Sequence, residues 1–546
     1  MDAQRVMSAS EATLPKPVTI DSLVERILAR AAKHPERIAL VETGGAIRRA
    51  LFGKPRTISY GELSKRIRSV THGLRKRGLA PGDRVVYGVR PGIDSFVLIA
   101  GLLRAGASVI AVDPGVGPDL FHRRMQLAKP SWVVAESIFF AAGAPGPVRW
   151  GFGQAGLALP DVGAFGTSFV HVGPRLPGVP ANSVPQAELL ETEPVEEALP
   201  RLSPDRVVLT IFTSGTTSDP KGVEHTAKSL GTGSSLIAEL MSLRNDDVVY
   251  STQTHQMLSA LLAGARCVIP PLRPDPRRFV ADVERLGVTH TYGVPFEVAR
   301  VVDELEKNRK RLPDSLRVMI LGSAPIHRSF LGRLRSVIGE DTDVHCAYAM
   351  TEMLPVSVVE SREKLAYEGG GDLVGRPVKG AFVAVAEDGE LHVTGENLCR
   401  GYLGKLGTAW HGSGDLARVD DDGRIVLLGR KKDMIIRGHH NLYPSLYEDK
   451  ITALPGVSRC AFLGIDTEDH ADERVVLAVE PLPGRDPEAV RLAVLRAIDD
   501  GSAGLDTFAK PDHVVACAMP HGGRSNKLDR VRLRSEIAEK LAHGRL

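Results

Sequence analysis

The chain has 546 residues, of which 43% are hydrophobic and 25% charged, and its formal net charge is +3. This length predicts two or three domains, and the composition is typical of a globular enzyme rather than of a fibrous or disordered protein. The near balance of 69 basic and 66 acidic residues argues against a nucleic-acid partner, and no apolar run approaches the ~18 residues of a membrane-spanning helix.

Residues 1–18 mix polar and apolar side chains without the layout of a signal peptide, so we expect a flexible start and a cytoplasmic protein. The five cysteines lie far apart and form no CxxC pair. This spacing predicts neither a disulfide framework nor a zinc site.

Short apolar runs alternate with amphipathic stretches as far as residue 430. RVVYGV (84–89), IDSFVLIAGLLRAG (93–106) and SVIAVDP (108–114) have the order and spacing of strand, helix and strand. Such βαβ units predict an α/β fold, with parallel or mixed sheets and flanking helices in a large N-terminal domain, residues 1–431. Dense glycine and proline predict an irregular stretch at 141–200, where GFGQAG (151–156) lacks the strand and helix that a dinucleotide site requires.

The character of the sequence changes after GRKKD (429–433). Strand-like runs at 457–465, 473–481 and 511–520 surround a helix that begins with Asp486 as its N-cap. This pattern predicts a smaller, mobile α+β domain over residues 432–546.

The stretch IFTSGTTSDPKGVEH (211–225) follows a buried strand and combines donors, flexibility and a positive charge. Ligands bind at the carboxyl ends of strands in open parallel sheets, so this loop and the one after LRVMILG (316–322) are candidate binding loops. Pro220 excludes a Walker phosphate loop, because proline has no N–H to donate. Polyphosphate binding and an ordinary polar surface turn both remain open from composition alone. The candidate phosphate-binding residues are Thr213, Ser214, Gly215, Thr216, Thr217 and Lys221.

TSGTTSDPKG resembles the signature loop of the adenylate-forming superfamily, which includes acyl-CoA synthetases, adenylation domains of peptide synthetases and firefly-type luciferases, although Ser218 replaces a glycine. The resemblance implies that this loop binds ATP. LGSAPI (321–326) resembles the adenine-binding turn of that superfamily, which implies that Ser323, Ala324 and Pro325 flank the base.

YAMTE (348–352) resembles the YGxTE motif of the same superfamily, with Ala349 in place of glycine. The resemblance implies that Tyr348 stacks on adenine, that Thr351 binds the α-phosphate and that Glu352 holds Mg²⁺. A carboxylate beside phosphate oxygens is a chemically suitable site for that cation. Without the resemblance, a Thr-Glu pair reads as a helix N-terminus.

SGDLARVDDDGRIVLLGRKKD (413–433) resembles TGD…GRxxD and also predicts a hairpin that turns at DDDG. The resemblance implies that Asp415 accepts both ribose hydroxyls with help from Arg430, and that Lys432 is the hinge between the domains. GGRSNKLDR (522–530) resembles the C-terminal lysine motif, which implies that Lys527 contacts the substrate carboxylate and the α-phosphate. STQTHQMLSALLAG (251–264) resembles the acyl-site stretch, so His255 either faces the substrate or is a packed histidine.

These resemblances imply that the chain joins a carboxylic acid to ATP, giving acyl-AMP and pyrophosphate. DPGVG (113–117) and TEMLPVSVVESRE (351–363) most resemble bacterial olefin-pathway β-lactone synthetases, in which a 3-hydroxy fatty acid closes on itself and expels AMP. Two alternatives stay open: a fatty acyl-CoA synthetase that uses CoA, and a nucleotide-binding protein with impaired catalysis. The last is suggested by the substituted residues Ser218, Ala349 and Asn526. Pathway enzymes are conceivable partners, but the sequence identifies none.

Overall fold

The structure is a computed structural model that describes most of the chain. The described residues are 7–8, 18–44, 55–111, 118–146, 148–150, 160–194, 202–212, 220–272, 275–437, 440–466, 473–522 and 527–542. Several predicted features lie outside them: most of residues 1–18, the GFGQAG stretch, and Thr213, Ser214, Gly215, Thr216 and Thr217 of the candidate phosphate loop.

The strands are numbered in chain order. They are β1 (Met7–Ser8), β2 (Ile38–Glu42), β3 (Arg56–Ser59), β4 (Arg84–Gly88), β5 (Ser108–Ala111), β6 (Trp132–Glu136), β7 (Ser168–Val172), β8 (Val184–Pro185), β9 (Val207–Phe212), β10 (Gly222–Thr226), β11 (Val248–Tyr250), β12 (Arg266–Ile269), β13 (His290–Gly293), β14 (Val318–Leu321), β15 (Asp343–Met350), β16 (Met353–Glu360), β17 (Asp372–Pro377), β18 (Ala381–Val385), β19 (Glu390–Gly395), β20 (Gly401–Tyr402), β21 (Lys405–Leu406), β22 (His411–Val419), β23 (Ile425–Arg430), β24 (Ile435–Arg437), β25 (His440–Leu442), β26 (Val457–Asp466), β27 (Glu473–Pro481), β28 (His513–Ala516), β29 (His521–Gly522) and β30 (Lys527–Leu528).

The helices are numbered in the same way. They are α1 (Ile20–Lys33), α2 (Tyr60–Lys76), α3 (Ile93–Ala105), α4 (Pro118–Ala128), α5 (Ser137–Gly143), α6 (Gln186–Leu190), α7 (Ala227–Met241), α8 (Thr254–Ala263), α9 (Pro276–Leu286), α10 (Pro295–Lys307), α11 (Arg328–Ser336), α12 (Ser361–Ala366), α13 (Ser445–Thr452), α14 (Pro487–Asp499) and α15 (Arg530–Ala542). Within the described residues, none of these helices is long and apolar enough to cross a membrane.

Two large sheets dominate the chain. One has fourteen strands in the order β1-β18-β19-β22-β23-β17-β16-β15-β14-β13-β11-β12-β2-β3, and the other has nine in the order β21-β20-β10-β9-β5-β4-β6-β7-β8. Strands β2 and β11–β15 pair in parallel in the first sheet, as do β4–β9 in the second. Buried parallel strands need apolar residues on both faces, which is why these segments read as continuous runs. The predicted α/β fold is confirmed.

Helices fill the space between the two sheets. One core cluster joins Val85 and Val109 of the nine-stranded sheet to Leu40 and Cys267 of the fourteen-stranded sheet through apolar side chains of the intervening helices. The helices begin where the sequence offers caps: at the start of α2, for example, the Ser59 hydroxyl accepts the N–H of Glu62 at 3.2 Å. The two sheets are therefore held at fixed positions around a shared core.

A separate three-stranded sheet, β26-β27-β28, forms in the C-terminal part of the chain with its own core clusters. Helix α14 packs on this sheet and begins as predicted, because the Asp486 carboxylate accepts the N–H of Ala489 at 3.1 Å. Asp449 of α13 accepts a 2.6 Å hydrogen bond from His327 of the large part. The domain boundary at Lys432 and the mobility of this segment stay predictions.

The prediction of an irregular stretch at 141–200 is partly wrong. Residues Ser168–Val172 form β7, which pairs in parallel with β6 in the nine-stranded sheet. Its apolar run, SFVHV, is too short to stand out among the surrounding glycines and prolines, but pairing with β6 and β8 stabilises it as a strand.

Candidate active site

A hairpin of the fourteen-stranded sheet carries three of the predicted site residues. Strand β15 ends at Met350 and β16 begins at Met353, so Thr351 and Glu352 form the two-residue turn between antiparallel strands. Tyr348 lies three residues before Thr351 on β15. The Thr-Glu pair is therefore a hairpin turn and not a helix N-terminus.

Tyr348 meets the predicted ribose-binding pair directly. Its hydroxyl donates to Asp415 Oδ2 at 2.5 Å, and Arg430 Nε lies 2.9 Å from Asp415 Oδ1. Asp415 and Arg430 are cross-strand partners on β22 and β23, which form the predicted hairpin with its turn after Val419. Asp415 is 6% exposed, and its negative charge, together with burial, raises the pKa of Tyr348 well above its usual range. The tyrosine is consequently a permanent hydrogen-bond donor.

Lys221 and Glu352 come from different sheets and approach the same tyrosine. The Glu352 carboxylate accepts the hydroxyl of Tyr402 at 2.9 Å, and Lys221 Nζ lies 5.8 Å from the centre of the Tyr402 ring. Burial and the nearby Glu352 charge raise the pKa of Tyr402. The backbone of Cys399 also donates to the Glu352 carbonyl at 2.7 Å. These contacts place the end of the candidate phosphate loop beside the candidate metal ligand.

The two residues that flank the candidate phosphate loop are paired with each other in the nine-stranded sheet. Phe212, the last residue of β9, is the cross-strand partner of Gly222, the first residue of β10. A Cβ at Gly222 would lie 3.0 Å from the Phe212 ring, so the residue after Lys221 has little room for a side chain. Both ends of loop 213–221 are therefore fixed.

His225 is a functional candidate that the sequence analysis missed. It lies on β10, is 5% exposed, and its Nε2 donates to the Thr351 carbonyl at 2.7 Å while Nδ1 lies 3.2 Å from the Ser229 hydroxyl. Burial lowers the pKa of His225, which favours the neutral ring that this arrangement requires. The signal in the sequence is a titratable side chain inside a short strand next to the loop.

The predicted adenine-binding turn follows β14, next to β15. Ser323 has a backbone φ of +68° and its hydroxyl lies 2.6 Å from that of Tyr292 on β13. A Cβ at Gly322 would lie 3.5 Å from the carbonyl of Ala347, the residue before Tyr348. Ser323 and Pro325 are exposed and Ala324 is half-buried. The turn thus borders the strand that carries Tyr348.

His255 is half-buried at the second residue of α8. Its ring centre lies 6.2 Å from that of Tyr292, edge to face, so it adjoins the Ser323 turn through one aromatic side chain. The surrounding protein lowers the pKa of His255 to about 4, because burial disfavours the charged ring. It can accept or donate a hydrogen bond as a neutral group at physiological pH.

Two predicted residues have no described contact with this cluster. Lys432 is exposed in a short helical turn after β23. Lys527 begins β30, opposite Gly522 of β29, but its side chain lies outside the described atoms. The β29–β30 hairpin approaches the large part of the chain through Arg459 of β26. Arg459 Nη1 lies 2.6 Å from Nε2 of His521 on β29, and the Arg459 guanidinium lies 5.9 Å from the ring centre of Phe296 on α10. Phe296 follows the carboxyl end of β13.

A metal ion at this site would depend on the substrate for most of its ligands. Among the residues that the structure describes, no group of three or more His, Cys, Asp or Glu side chains is arranged to hold a metal. A single carboxylate such as Glu352 nevertheless suits Mg²⁺, which commonly keeps its waters and takes nucleotide phosphates as further ligands. The donor set therefore fits Mg²⁺ that arrives with a nucleotide.

Comparison with known proteins identifies the family of the chain. The family model described as AMP-binding enzyme matches residues 27–403. A feruloyl-CoA synthase of Amycolatopsis sp is 28% identical over 443 residues, covering 75% of this chain and 80% of that protein. An olefin beta-lactone synthetase of Xanthomonas campestris is 27% identical over 502 residues, covering 83% and 86% respectively. The crystal structure of ATP-bound MatB from Rhodopseudomonas palustris covers 95% of this chain and 99% of its own, with a TM-score of 0.75 and 22% identity.

Proposed function

Because the chain belongs to the AMP-binding enzyme family and is an adenylate-forming ligase, we propose that it activates a fatty-acid carboxylate with ATP as acyl-AMP. The observation that carries this proposal is the β15–β16 hairpin. One strand end holds Tyr348 against Asp415, and the adjoining turn holds Glu352 beside Tyr402 and thereby beside Lys221. Groups suited to a nucleoside and to a triphosphate thus adjoin one another.

The nucleoside end is assigned to Tyr348, Asp415 and Arg430. The Asp415 carboxylate lies against the Tyr348 hydroxyl and the Arg430 guanidinium, and a carboxylate offers two oxygens that suit the cis-diol of a ribose. The Tyr348 ring, anchored by its hydroxyl, offers a face to adenine. The turn at Ser323, Ala324 and Pro325 borders the same strand and would flank the base.

The phosphate end is assigned to the hydroxyls of loop 213–217, to Lys221 and to the Thr351–Glu352 turn. Thr351 supplies a hydroxyl for the α-phosphate, and Lys221, which lies over the Tyr402 ring, supplies a positive charge. Mg²⁺, when bound, neutralises charge on the phosphates. His225 and Tyr402 keep the turn in place while these groups act.

Adenylation requires a carboxylate oxygen to attack the α-phosphorus while the bond to the β-phosphate oxygen breaks and pyrophosphate leaves. Two anions must approach each other, so a cation bridging both lowers the barrier. We assign that role to Lys527. Its hairpin lies near the carboxyl end of β13 through the contact of Arg459 with Phe296.

For the second step we propose closure to a β-lactone. The 3-hydroxyl oxygen of the substrate attacks the acyl carbon, the mixed-anhydride bond breaks, AMP leaves and the hydroxyl proton is released. The attack is intramolecular and depends mainly on positioning. The similarity to an olefin beta-lactone synthetase over 83% of the chain supports this choice. Neutral His255, beside Tyr292, is a candidate contact for the acyl group.

Transfer to CoA is the second candidate, because a relative of nearly equal identity is a feruloyl-CoA synthase. The deciding experiment incubates the protein with a 3-hydroxy fatty acid, ATP and Mg²⁺, with and without CoA, and identifies the products by mass spectrometry. A product that has lost one water and forms without CoA supports the lactone. A thioester that forms only with CoA contradicts it. The matched acid without the 3-hydroxyl is the control, since it cannot close.

Lys527→Ala tests the first step. We expect acid-dependent ATP–pyrophosphate exchange to fall by about 10²–10³-fold, the usual loss for one transition-state contact, while ATP binding measured by calorimetry stays close to that of the wild type. Lys540→Ala, an exposed lysine on α15, is the matched control. Exchange at the wild-type rate in Lys527→Ala would exclude this lysine from the chemistry.

A further inference from the structure

Tyr402 occupies a junction between the two large sheets. Its strand, β20, pairs with β10 immediately after the candidate phosphate loop, with Tyr402 opposite Val223. Three residues earlier, the backbone N–H of Cys399 donates to the carbonyl of Glu352. The tyrosine backbone is thus fixed both to the strand that follows Lys221 and to the turn that carries the candidate metal ligand.

The two functional parts of the Tyr402 side chain contact two different charged groups. The hydroxyl donates to one oxygen of the Glu352 carboxylate at 2.9 Å, and the ring face lies 5.8 Å from Lys221 Nζ. In the described part of the chain, Lys221 contacts the Tyr402 ring and Glu352 contacts the Tyr402 hydroxyl, with no ion pair between the two within 4 Å. The ammonium group therefore lies over the Tyr402 ring while the carboxylate is held by the Tyr402 hydroxyl, so the two opposite charges contact different parts of one side chain.

A direct ion pair at this position would oppose ligand binding. An ammonium group and a carboxylate within 4 Å neutralise each other, and a triphosphate and its cation would have to separate them first. A cation–π contact at an exposed site holds the ammonium only weakly, so phosphate oxygens can replace it. A hydrogen bond to one carboxylate oxygen fixes its orientation and leaves the other oxygen for a metal.

We propose that Tyr402 is a positioning residue that orients Glu352 for Mg²⁺ and keeps Lys221 from pairing with it. The inference rests on the proposed function, since it assigns Glu352 to the metal that accompanies ATP. It adds a residue that acts through Glu352 and Lys221, the two side chains that it contacts.

Calorimetry of the full chain with ATP, in Mg²⁺ and in EDTA, tests the role without turnover because no acid is present. In Tyr402→Phe the ring remains beneath Lys221 but the hydroxyl is gone. We expect ATP affinity in EDTA to stay within about twofold of the wild type, while the gain in affinity on adding Mg²⁺ shrinks by about tenfold, the size expected for a lost hydrogen bond to a charged group. An unchanged Mg²⁺-dependent gain overturns the proposal.

Tyr367→Phe is the matched control, because that tyrosine also hydrogen-bonds a charged side chain, Arg418, at a distance from the site. We expect it to leave both affinities unchanged. The unfolding midpoint of Tyr402→Phe, measured alongside, should equal that of the wild type if the hydroxyl acts on the metal and not on the fold.

Glu352→Asp tests the hydrogen bond between Tyr402 and Glu352 by changing the carboxylate instead of the hydroxyl. The aspartate side chain is one methylene shorter, so it keeps the charge but no longer reaches the Tyr402 hydroxyl. In the Glu352→Asp background, adding Tyr402→Phe should cause no further loss of Mg²⁺-dependent affinity. Losses that multiply independently overturn the proposal. Failure of the proposed function is a different result: a wild-type protein that binds ATP with Mg²⁺ but catalyses no acid-dependent exchange.

Discussion

The nucleoside end and the phosphate end of the candidate site differ in how their charged side chains are paired. At the nucleoside end, Asp415 is buried and already bonded to Arg430 and Tyr348. At the phosphate end, Lys221 lies over the Tyr402 ring and Glu352 accepts the Tyr402 hydroxyl. One end is complete before any ligand binds, whereas the other keeps charges available for one.

This difference predicts different kinetic roles. Under the proposed function, groups that are already paired would contact the ribose equally in the ground state and the transition state, so we expect them to contribute to ATP affinity. Charges left available at the phosphate end can respond to the charge that develops at the α-phosphorus, so they should contribute to the rate. Substitutions at the two ends should therefore separate KM from kcat.

The largest effect is expected at the phosphate end. Glu352→Gln replaces the candidate metal ligand with a neutral amide of similar shape, and we expect kcat for ATP–pyrophosphate exchange to fall by about 10²–10³-fold because transition-state charge is no longer neutralised. ATP binding in EDTA should change little. Glu340→Gln, on an exposed glutamate, is the control. A loss confined to KM would remove the distinction between the two ends.

An intermediate effect is expected at the nucleoside end. Asp415→Asn keeps the size of the side chain but removes the charge that Arg430 contacts and that we propose to bind the ribose hydroxyls. We expect KM for ATP to rise about 10- to 100-fold, the range for lost charge-assisted hydrogen bonds, with kcat within a few-fold of wild type. Steady-state exchange rates at varied ATP concentration measure both constants. A fall in kcat alone would contradict the assignment.

The smallest effect is expected on the pH dependence of the unfolding midpoint, and it comes from His225 at the phosphate end. The pKa of buried His225 is lowered, so the folded state resists protonation below the ordinary histidine value near 6.5, where the unfolded chain takes up a proton. Stability from this residue is complete above that pH and declines as pH falls towards the lowered pKa. Between pH 7.5 and 5.5, the wild-type unfolding midpoint should drop by about 2 °C more than that of His225→Gln. Exposed His34→Gln is the control and should follow the wild type.

Much of the fold was accessible from local patterns in the sequence. Strands β4, β5, β9 and β14 coincide with apolar runs, because strands buried on both faces need apolar residues throughout. The cap at Asp486 marks its helix because capping depends on neighbouring residues alone. β7 was not predicted because pairing with β6 and β8, and not its own composition, stabilises it as a strand.

The residues of the candidate site also differ in whether a local sequence pattern predicts them. Lys221, Tyr348, Glu352 and Asp415 belong to short contiguous motifs and could be predicted. His225 and Tyr402 could not, because their contacts with Thr351 and Glu352 span 126 and 50 positions of sequence. Pairing of strands from two sheets brings them together, and no local pattern contains that information. The roles assigned to all of these residues, and to Lys527, stay predictions for the experiments above.

The β15–β16 hairpin also fixes the spacing between Tyr348 and Thr351. Tyr348 lies on β15 and Thr351 in the turn that follows, and the pairing with β16 shifts register between Tyr348 and Met350. Inserting or deleting one residue here would shift every later side chain to the opposite face of the sheet. The spacing between the groups that we propose to bind the base and the phosphates is thus set by the backbone. Engineering a different nucleotide preference should succeed by changing the neighbours of this strand, while its length is kept.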